Sequence, residues 1–191
     1  FVMTGDGELQ EGQVWESLNR LSQEKMEELI ILVDNNKFQS DRRVSTTSDL
    51  KNLENKFKSF GVSAITCDGN NVEELSKALD KISEDNEPSA IILDTVKGSG
   101  VSFMEGTNLG DQEFYKFHSG AVDQKVYDKS IAELTDKLYK YIDSNKISYS
   151  FNLSNKESKN NKKTTTSSQN LINAYSKALI NQASLNKKIV A

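Results

Sequence analysis

An α/β fold, a parallel sheet flanked by helices, is what this chain predicts from three features. Short apolar runs alternate with stretches of helical periodicity from Phe1 to Val96. A glycine-rich turn, Gly5-Asp6-Gly7, closes the first run, and Asp34-Asn35-Asn36 closes the second. In open sheets of this kind, ligands sit just beyond the carboxyl ends of the strands.

Phe1-Val2-Met3 reads as the end of a buried strand. Val14, Leu18 and Leu21, at i, i+4 and i+7, mark the core face of the helix that follows. Glu28 to Val33 reads as the next strand. Ser48 can cap a helix with Leu50, Leu53, Phe57 and Phe60 along one side, and Gly61 ends it. Val62 to Cys67 is a short strand. Asn71, with Glu74 three residues on, opens a capping-box-like helix whose core face is Val72, Leu75, Ala78, Leu79 and Ile82. Pro88, the only proline, precedes a strand from Ala90 to Val96. A loop from Lys97 to Leu109 is anchored by Phe103 and Met104, with Gly98 and Gly100 read as glycines of a mobile loop over the site. Asp111 starts a short helix ending near His118. Asp123 starts another, carrying Val126, Ile131, Leu134, Leu138 and Tyr141.

From about Ser144 the composition turns polar, and Ser154 to Ser168 holds no apolar residue, so it cannot bury a core. Leu171, Ala174, Tyr175, Ala178 and Leu179 then resume helical spacing. The expected organisation is one domain over residues 1–143, a linker over 144–168, and the start of a second domain over 169–191. The chain opens at Phe1 inside what reads as a strand and closes at Lys188-Ile189-Val190-Ala191, which reads as a strand just beginning. Both ends look truncated.

A net charge of −4 argues against a nucleic-acid partner, and the Lys-rich stretch near the C-terminus is local. Cys67 stands alone, which excludes a disulfide framework within one chain. No run approaches 18 apolar residues and no signal peptide is visible, so a cytoplasmic setting without membrane contact is the expectation.

The chemistry concentrates at the two strand ends. Asp6 and Asn36, roughly thirty residues apart, offer one carboxylate and one amide. Mg²⁺ wants oxygen ligands in octahedral geometry, and the backbone carbonyl of Phe38 can add a third. Glycines beside Asp6 allow the backbone to approach phosphate oxygens, and amides at the helix start point toward an anion. Both residues are also ordinary turn formers. Glu11 and Glu16 suit a helix N-terminus. Asp68 reads as a turn stabiliser.

Gly5 to Gly12 and Asp34 to Asn36 resemble the thiamine-diphosphate motif, which begins Gly-Asp-Gly and closes with an Asn about thirty residues later. The chain is similar to the transketolase family, through Glu8-Leu9-Gln10-Glu11-Gly12, Cys67-Asp68-Gly69-Asn70, the Asp94 to Glu105 segment and Phe117-His118-Ser119-Gly120. The resemblance runs through residues 1 to about 140. It implies a thiamine-diphosphate-binding fold truncated at both ends, with residues 1–143 part of the diphosphate-binding domain and 169–191 the start of the pyrimidine-binding domain. It implies thiamine diphosphate with Mg²⁺ (or Ca²⁺ or Mn²⁺) as cofactors. Asp6, Asn36 and Phe38 would hold the metal, and Gly5, Gly7, Glu8, Asn36 and His118 the cofactor. His118, the only histidine, would also serve catalysis. The implied reaction moves a two-carbon ketol unit between sugar phosphates in a homodimer with a shared site, and the catalytic glutamate would lie beyond Ala191. In the family Glu11 and Glu16 would approach the dimer interface. Departures fall at Gln39-Ser40-Asp41-Arg42-Arg43 and at Asp68-Gly69-Asn70-Asn71, and bear on substrate more than on cofactor. Alternatives are another thiamine-diphosphate enzyme (a specialised sugar-biosynthesis transketolase or a deoxyxylulose-phosphate synthase relative) or a non-catalytic cofactor-binding subunit.

Overall fold

The computed structural model describes residues 1–83, 87–109 and 114–148, together with residues 177, 178, 180, 181 and 184. The chain divides into two compact units, Phe1–Ser148 and Tyr149–Ala191. The five described residues of the second unit are helical. The expected linker beyond residue 148 and the spacing from Leu171 to Tyr175 lie outside the described residues.

In the first unit four strands, β1 (Val2–Gly5), β2 (Ile30–Asn35), β5 (Ser63–Asp68) and β6 (Ser89–Asp94), form one parallel sheet in the order β1-β2-β6-β5. β6 lies inside the sheet, and Ser89 through Leu93 are all buried, with Ala90 to Leu93 the unbroken apolar run that a doubly covered parallel strand requires. One face carries α1 (Gly12–Gln23) and α3 (Leu53–Ser59), whose Leu18, Leu21 and Phe57 pack with Ile31, Val33 and Ile92. On the other face α4 (Val72–Ser83) sets Ala78 and Ile82 against Ile91 and Leu93. The register pairs Gly5 with Asp34, Asp34 with Leu93, and Asp68 with Asp94, so four polar strand ends come to one edge.

Several expectations change. Phe1, Val2 and Met3 are not buried, at 81%, 48% and 66% exposed. β1 is an edge strand with β2 as its sole neighbour, and α4 lies over β5 and β6, away from Met3. The strand expected at Glu28 begins at Ile30, and the strand expected to reach Val96 ends at Asp94 because the Val96 N–H turns to Asn70 Oδ1 at 2.8 Å. Ser48 does not cap α3; it ends a single turn, α2 (Val44–Thr47), and Asn52 caps instead, its Oδ1 accepting the Asn55 N–H at 2.8 Å. Val72 is 82% exposed, since α4 turns its first residue away from the sheet. Asn71 caps α4 through Glu73 and Glu74, but the Glu74 carboxylate pairs with Lys77 rather than closing the box.

Residues 110–113 lie outside the described residues, and 114–120 form turns and bends rather than the helix expected to end near His118. α5 (Gln124–Ser144) is capped by Asp123, as the sequence suggests, with Oδ1 accepting the Val126 N–H at 2.9 Å. Its expected core stripe is exposed at Ile131, Leu134, Leu138 and Tyr141. Polar contacts dock the neighbouring face: Glu133 accepts the Ser102 N–H (2.8 Å) and hydroxyl (3.0 Å), and Lys137 Nζ donates to the Gly100 carbonyl at 2.7 Å. Among the described residues no helix is long and apolar enough to cross a membrane.

Gly61 ends α3 as expected. Its φ is +75°, its N–H donates to the Lys58 carbonyl, and the Val62 N–H donates to the Phe57 carbonyl, the paired bonds of a Schellman end. A Cβ at Gly61 would also strike Ser22 Oγ. Gly61→Ala should therefore lower stability by about 1–2 kcal/mol for the left-handed backbone alone. It should lose more through the clash, and Ser22→Ala in the same protein should recover that second part in denaturant unfolding.

Bonds from Lys137 and Ser102 hold the Glu133 carboxyl down to about 2, against an ordinary 4.5. A depressed acid stabilises the fold above its ordinary value and loses that contribution as pH falls toward the folded one. Protection of the Ser102 amide from exchange should fall between pH of about 4.5 and about 2, and Glu133→Gln should flatten that dependence.

Candidate metal and diphosphate site

The turn after β1 and the loop after β2 meet through Asp6. This carboxylate is 1% exposed. One oxygen accepts the Gly7 N–H at 2.8 Å and the other the Lys37 N–H at 2.6 Å. The Asp6 N–H in turn donates to the Asp34 carbonyl at 3.0 Å. Lys37 adopts φ 71°, a left-handed conformation that non-glycine residues rarely take, and this aims its N–H at Asp6. The Lys37 carbonyl receives the Val44 N–H at 2.9 Å, which holds the conformation from its other side.

Asn36 is fixed at both ends of its amide. Nδ2 donates to Asp34 Oδ2 at 2.8 Å, and Oδ1 accepts the Phe38 N–H at 2.9 Å. An amide oxygen has two lone pairs, so one remains for a ligand. Phe38 opens the hairpin β3 (Phe38–Gln39) and β4 (Arg42–Arg43), with its buried ring 5.5 Å from Tyr115. Asn36 and Phe38 line a cleft of about 520 Å³ with Asn70, Thr95 and Lys97. Asp6 faces an adjoining cleft of about 330 Å³, and Lys37 and Arg43 line both.

The Gly5 N–H donates to Glu8 Oε2 at 2.6 Å, so Glu8 braces the turn, and the Gly7 N–H is taken by Asp6. Gly7 has φ −63° and ψ −34°, which any residue tolerates. An added Cβ there would crowd Gln39, lying 3.0 and 3.1 Å from its Cγ and Cβ. Gly98 has φ +78°, and an added Cβ would strike the Met104 carbonyl and sit 2.6 Å from the Tyr115 hydroxyl, so it serves close packing within its loop. Asp68 stabilises a turn, accepting the Asn70 N–H at 2.9 Å. Glu11 sits at the N-cap position of α1 without a side-chain cap bond, and Glu16 lies beyond the first turn.

Burial pushes the Asp6 carboxyl up, and the Asp34 charge adds to that, while N–H bonds from Lys37 and Gly7 and the Lys37 charge pull the other way. Among the described residues no cationic side chain hydrogen-bonds to it, and Lys37 Nζ goes to Asp94 and to the Asn35 carbonyl. A buried carboxylate with neighbours of its own sign is stabilised by a divalent ion. Among the described residues no group of three or more His, Cys, Asp and Glu side chains could hold a metal, so a cation at Asp6 would need mixed oxygen donors. Asp6, Asn36 and a backbone carbonyl fit that requirement.

Lys97 is the residue the sequence reading undervalued. It is half-buried, which pushes its ammonium down, while Asp34, Asp6 and Asp41 oppose the shift. Its Nζ lies 3.3 Å from His118 Nδ1 and 5.2 Å from the Tyr115 ring centroid. The structure thus joins His118 to the acidic edge through Lys97, with no bond from His118 to Asp6 or Asn36. An ammonium only donates, so Nδ1 is the acceptor and a neutral His118 ring carries its proton on Nε2.

The family model described as transketolase, thiamine diphosphate binding domain, matches residues 1–190. One subunit of an apulose-4-phosphate transketolase from Actinobacillus succinogenes is 37% identical over 106 residues, covering 56% of this chain and 38% of the relative. A 6-deoxy-6-sulfo-D-fructose transketolase subunit from a Clostridium species is 32% identical over 135 residues, covering 70% of this chain and 46% of the relative. The solved transketolase of Campylobacter jejuni superposes with a TM-score of 0.61 at 25% identity, covering 70% of this chain and 20% of that one. The chain spans less than half the length of these relatives.

Because His118 is the sole histidine, its ring nitrogens can be read without overlap. Nitrogen-detected NMR should show the Nε2–H tautomer in the neutral ring. Lys97→Met should shift the population toward Nδ1–H, and an unchanged tautomer would show that Lys97 does not set it.

Proposed function

The chain belongs to the transketolase family, and from that membership and the buried carboxylate of Asp6 we propose that it provides the Mg²⁺ and diphosphate clamp of a thiamine-diphosphate-dependent transketolase. The single observation that carries the reading is Asp6, buried at 1% exposure beside Asp34, with no cationic side chain hydrogen-bonded to it among the described residues. Asp6, Asn36 and the Phe38 carbonyl hold the cation. Gly7 lines the turn, and Gly5 and Glu8 keep it in shape. Lys97 and His118 bind from the facing loop, where an ammonium and an Nε2–H are suited to phosphate oxygens or a substrate hydroxyl. Thiamine diphosphate, when bound, supplies the electron sink for breaking and forming the carbon–carbon bond of a ketol transfer between sugar phosphates.

On this reading residues 1–143 are part of the diphosphate-binding domain, and residues 169–191 begin the pyrimidine-binding domain. The first compact unit is Phe1–Ser148. The parent works in the cytoplasm as a dimer whose partner completes the site. A second arrangement is favoured by the comparisons: the two relatives at 37% and 32% identity are each named as one subunit of a specialised transketolase. In that arrangement the same clamp serves a split enzyme acting on an unusual sugar.

Calorimetric titration of thiamine diphosphate into the full-length protein tests the clamp. Binding should require Mg²⁺, vanish in EDTA and weaken by at least about 100-fold in Asp6→Ala, the upper range for disturbing a metal site's supporting groups. Metal-independent binding of equal strength would sink the clamp.

A further inference from the structure

The cleft of about 520 Å³ and the adjoining one of about 330 Å³ are lined by the cationic side chains of Lys37, Arg43, Lys51 and Lys97. The lysines have partners. Lys37 Nζ bonds to Asp94 and to the Asn35 carbonyl, Lys51 Nζ to Asp49 at 2.7 Å, and Lys97 Nζ lies 3.3 Å from His118 Nδ1. Arg43, which lines both clefts, differs. Among the described residues its guanidinium makes no hydrogen bond or ion pair, and its Cζ lies over the Phe38 ring, 5.1 Å from the centroid.

The hairpin holds that guanidinium in place. Phe38 and Arg43 stand opposite each other in the antiparallel pair of β3 and β4, so their side chains share one face. The Arg43 carbonyl accepts the Thr46 hydroxyl at 2.9 Å and the Thr47 hydroxyl at 3.1 Å, which fixes the backbone from its other side. Contact with the ring leaves the planar fork of N–H donors to an oxyanion, whose geometry it matches. Ser99 and Thr107 bring hydroxyls to the larger cleft, whose volume suits a ligand of sugar-phosphate size.

We propose that Arg43 is a specificity-determining residue, its guanidinium binding the phosphate of the sugar substrate. The inference rests on the thiamine-diphosphate reading above. On that reading the cofactor's own diphosphate is answered by the cation at Asp6, Asn36 and the Phe38 carbonyl. Arg43 instead belongs to Gln39-Ser40-Asp41-Arg42-Arg43, where the sequence departs from the transketolase pattern. A residue in that stretch suits the part of the ligand set that differs between family members. That part is the sugar phosphate, not the shared cofactor.

Arg43→Gln removes the charge and the fork, and Arg43→Lys keeps only the charge. The full-length protein, loaded with Mg²⁺ and thiamine diphosphate, is titrated calorimetrically with D-xylulose 5-phosphate and with D-xylulose. The native protein should prefer the phosphate ester, and Arg43→Gln should cut that preference by about 10-fold or more, the loss expected for charged hydrogen bonds. Arg43→Lys should restore part of it. Neither variant should change the affinity for D-xylulose or for Mg²⁺–thiamine diphosphate. An undiminished preference in Arg43→Gln, or a native protein with none, would overturn the role of Arg43 and leave the clamp standing. So would an equal loss for both sugars, the mark of a damaged hairpin, or a loss confined to the cofactor, which would put the guanidinium on its diphosphate. A native protein that binds no thiamine diphosphate would overturn both readings.

Discussion

The Asp6 carboxylate takes an N–H from its own turn with one oxygen and an N–H from the loop after β2 with the other. Lys37 keeps a left-handed backbone because Asp6 receives its N–H and Val44 donates to its carbonyl. That conformation presents Asn36 and Phe38 from the loop, and Asn36 then locks Phe38 by accepting its N–H. The hairpin that follows carries Gln39 back onto Gly7, which closes the circuit.

Three unfavourable features share this small region: a desolvated carboxylate, a non-glycine residue at positive φ, and the buried Gln39 amide oxygen, unpaired among the described residues. Such features cost on the order of 1–3 kcal/mol each. The scaffold can carry them, since full burial of a side chain such as Phe57 or Ile91 contributes about 1.5–3 kcal/mol. The sheet behind the site is where that burial is densest, along β6 and the α3 face. Strain at the edge and close packing behind it are the division expected where structure is kept for binding rather than for stability.

Much of the scaffold was legible because its signals are local. The apolar run around Ile91 can only be an inner strand, Gly61 supplies the left-handed residue that a helix end needs, and Asp123 caps α5 three residues before the bond it accepts. The Gly-Asp-Gly and Asn36 pair lies at the carboxyl edge of the sheet, where its spacing puts it. Burial was less legible. Val72, Met3 and the Ile131–Leu138 stripe are apolar and correctly spaced, yet exposed, because spacing says which residues share a face and not what covers it.

The sequence by itself determined the order of strands and helices, the position of the acidic turn and the family. These depend on periodicity, caps and motif spacing, which are properties of near neighbours. Tertiary structure decided that the buried Asp6 carboxylate receives the Lys37 N–H, that Lys97 reaches the lone histidine, and that Gln39 packs onto Gly7. Each of those joins residues from about 20 to about 30 positions apart, and only the folded sheet, with its register and the loops at its carboxyl edge, brings them within bonding distance.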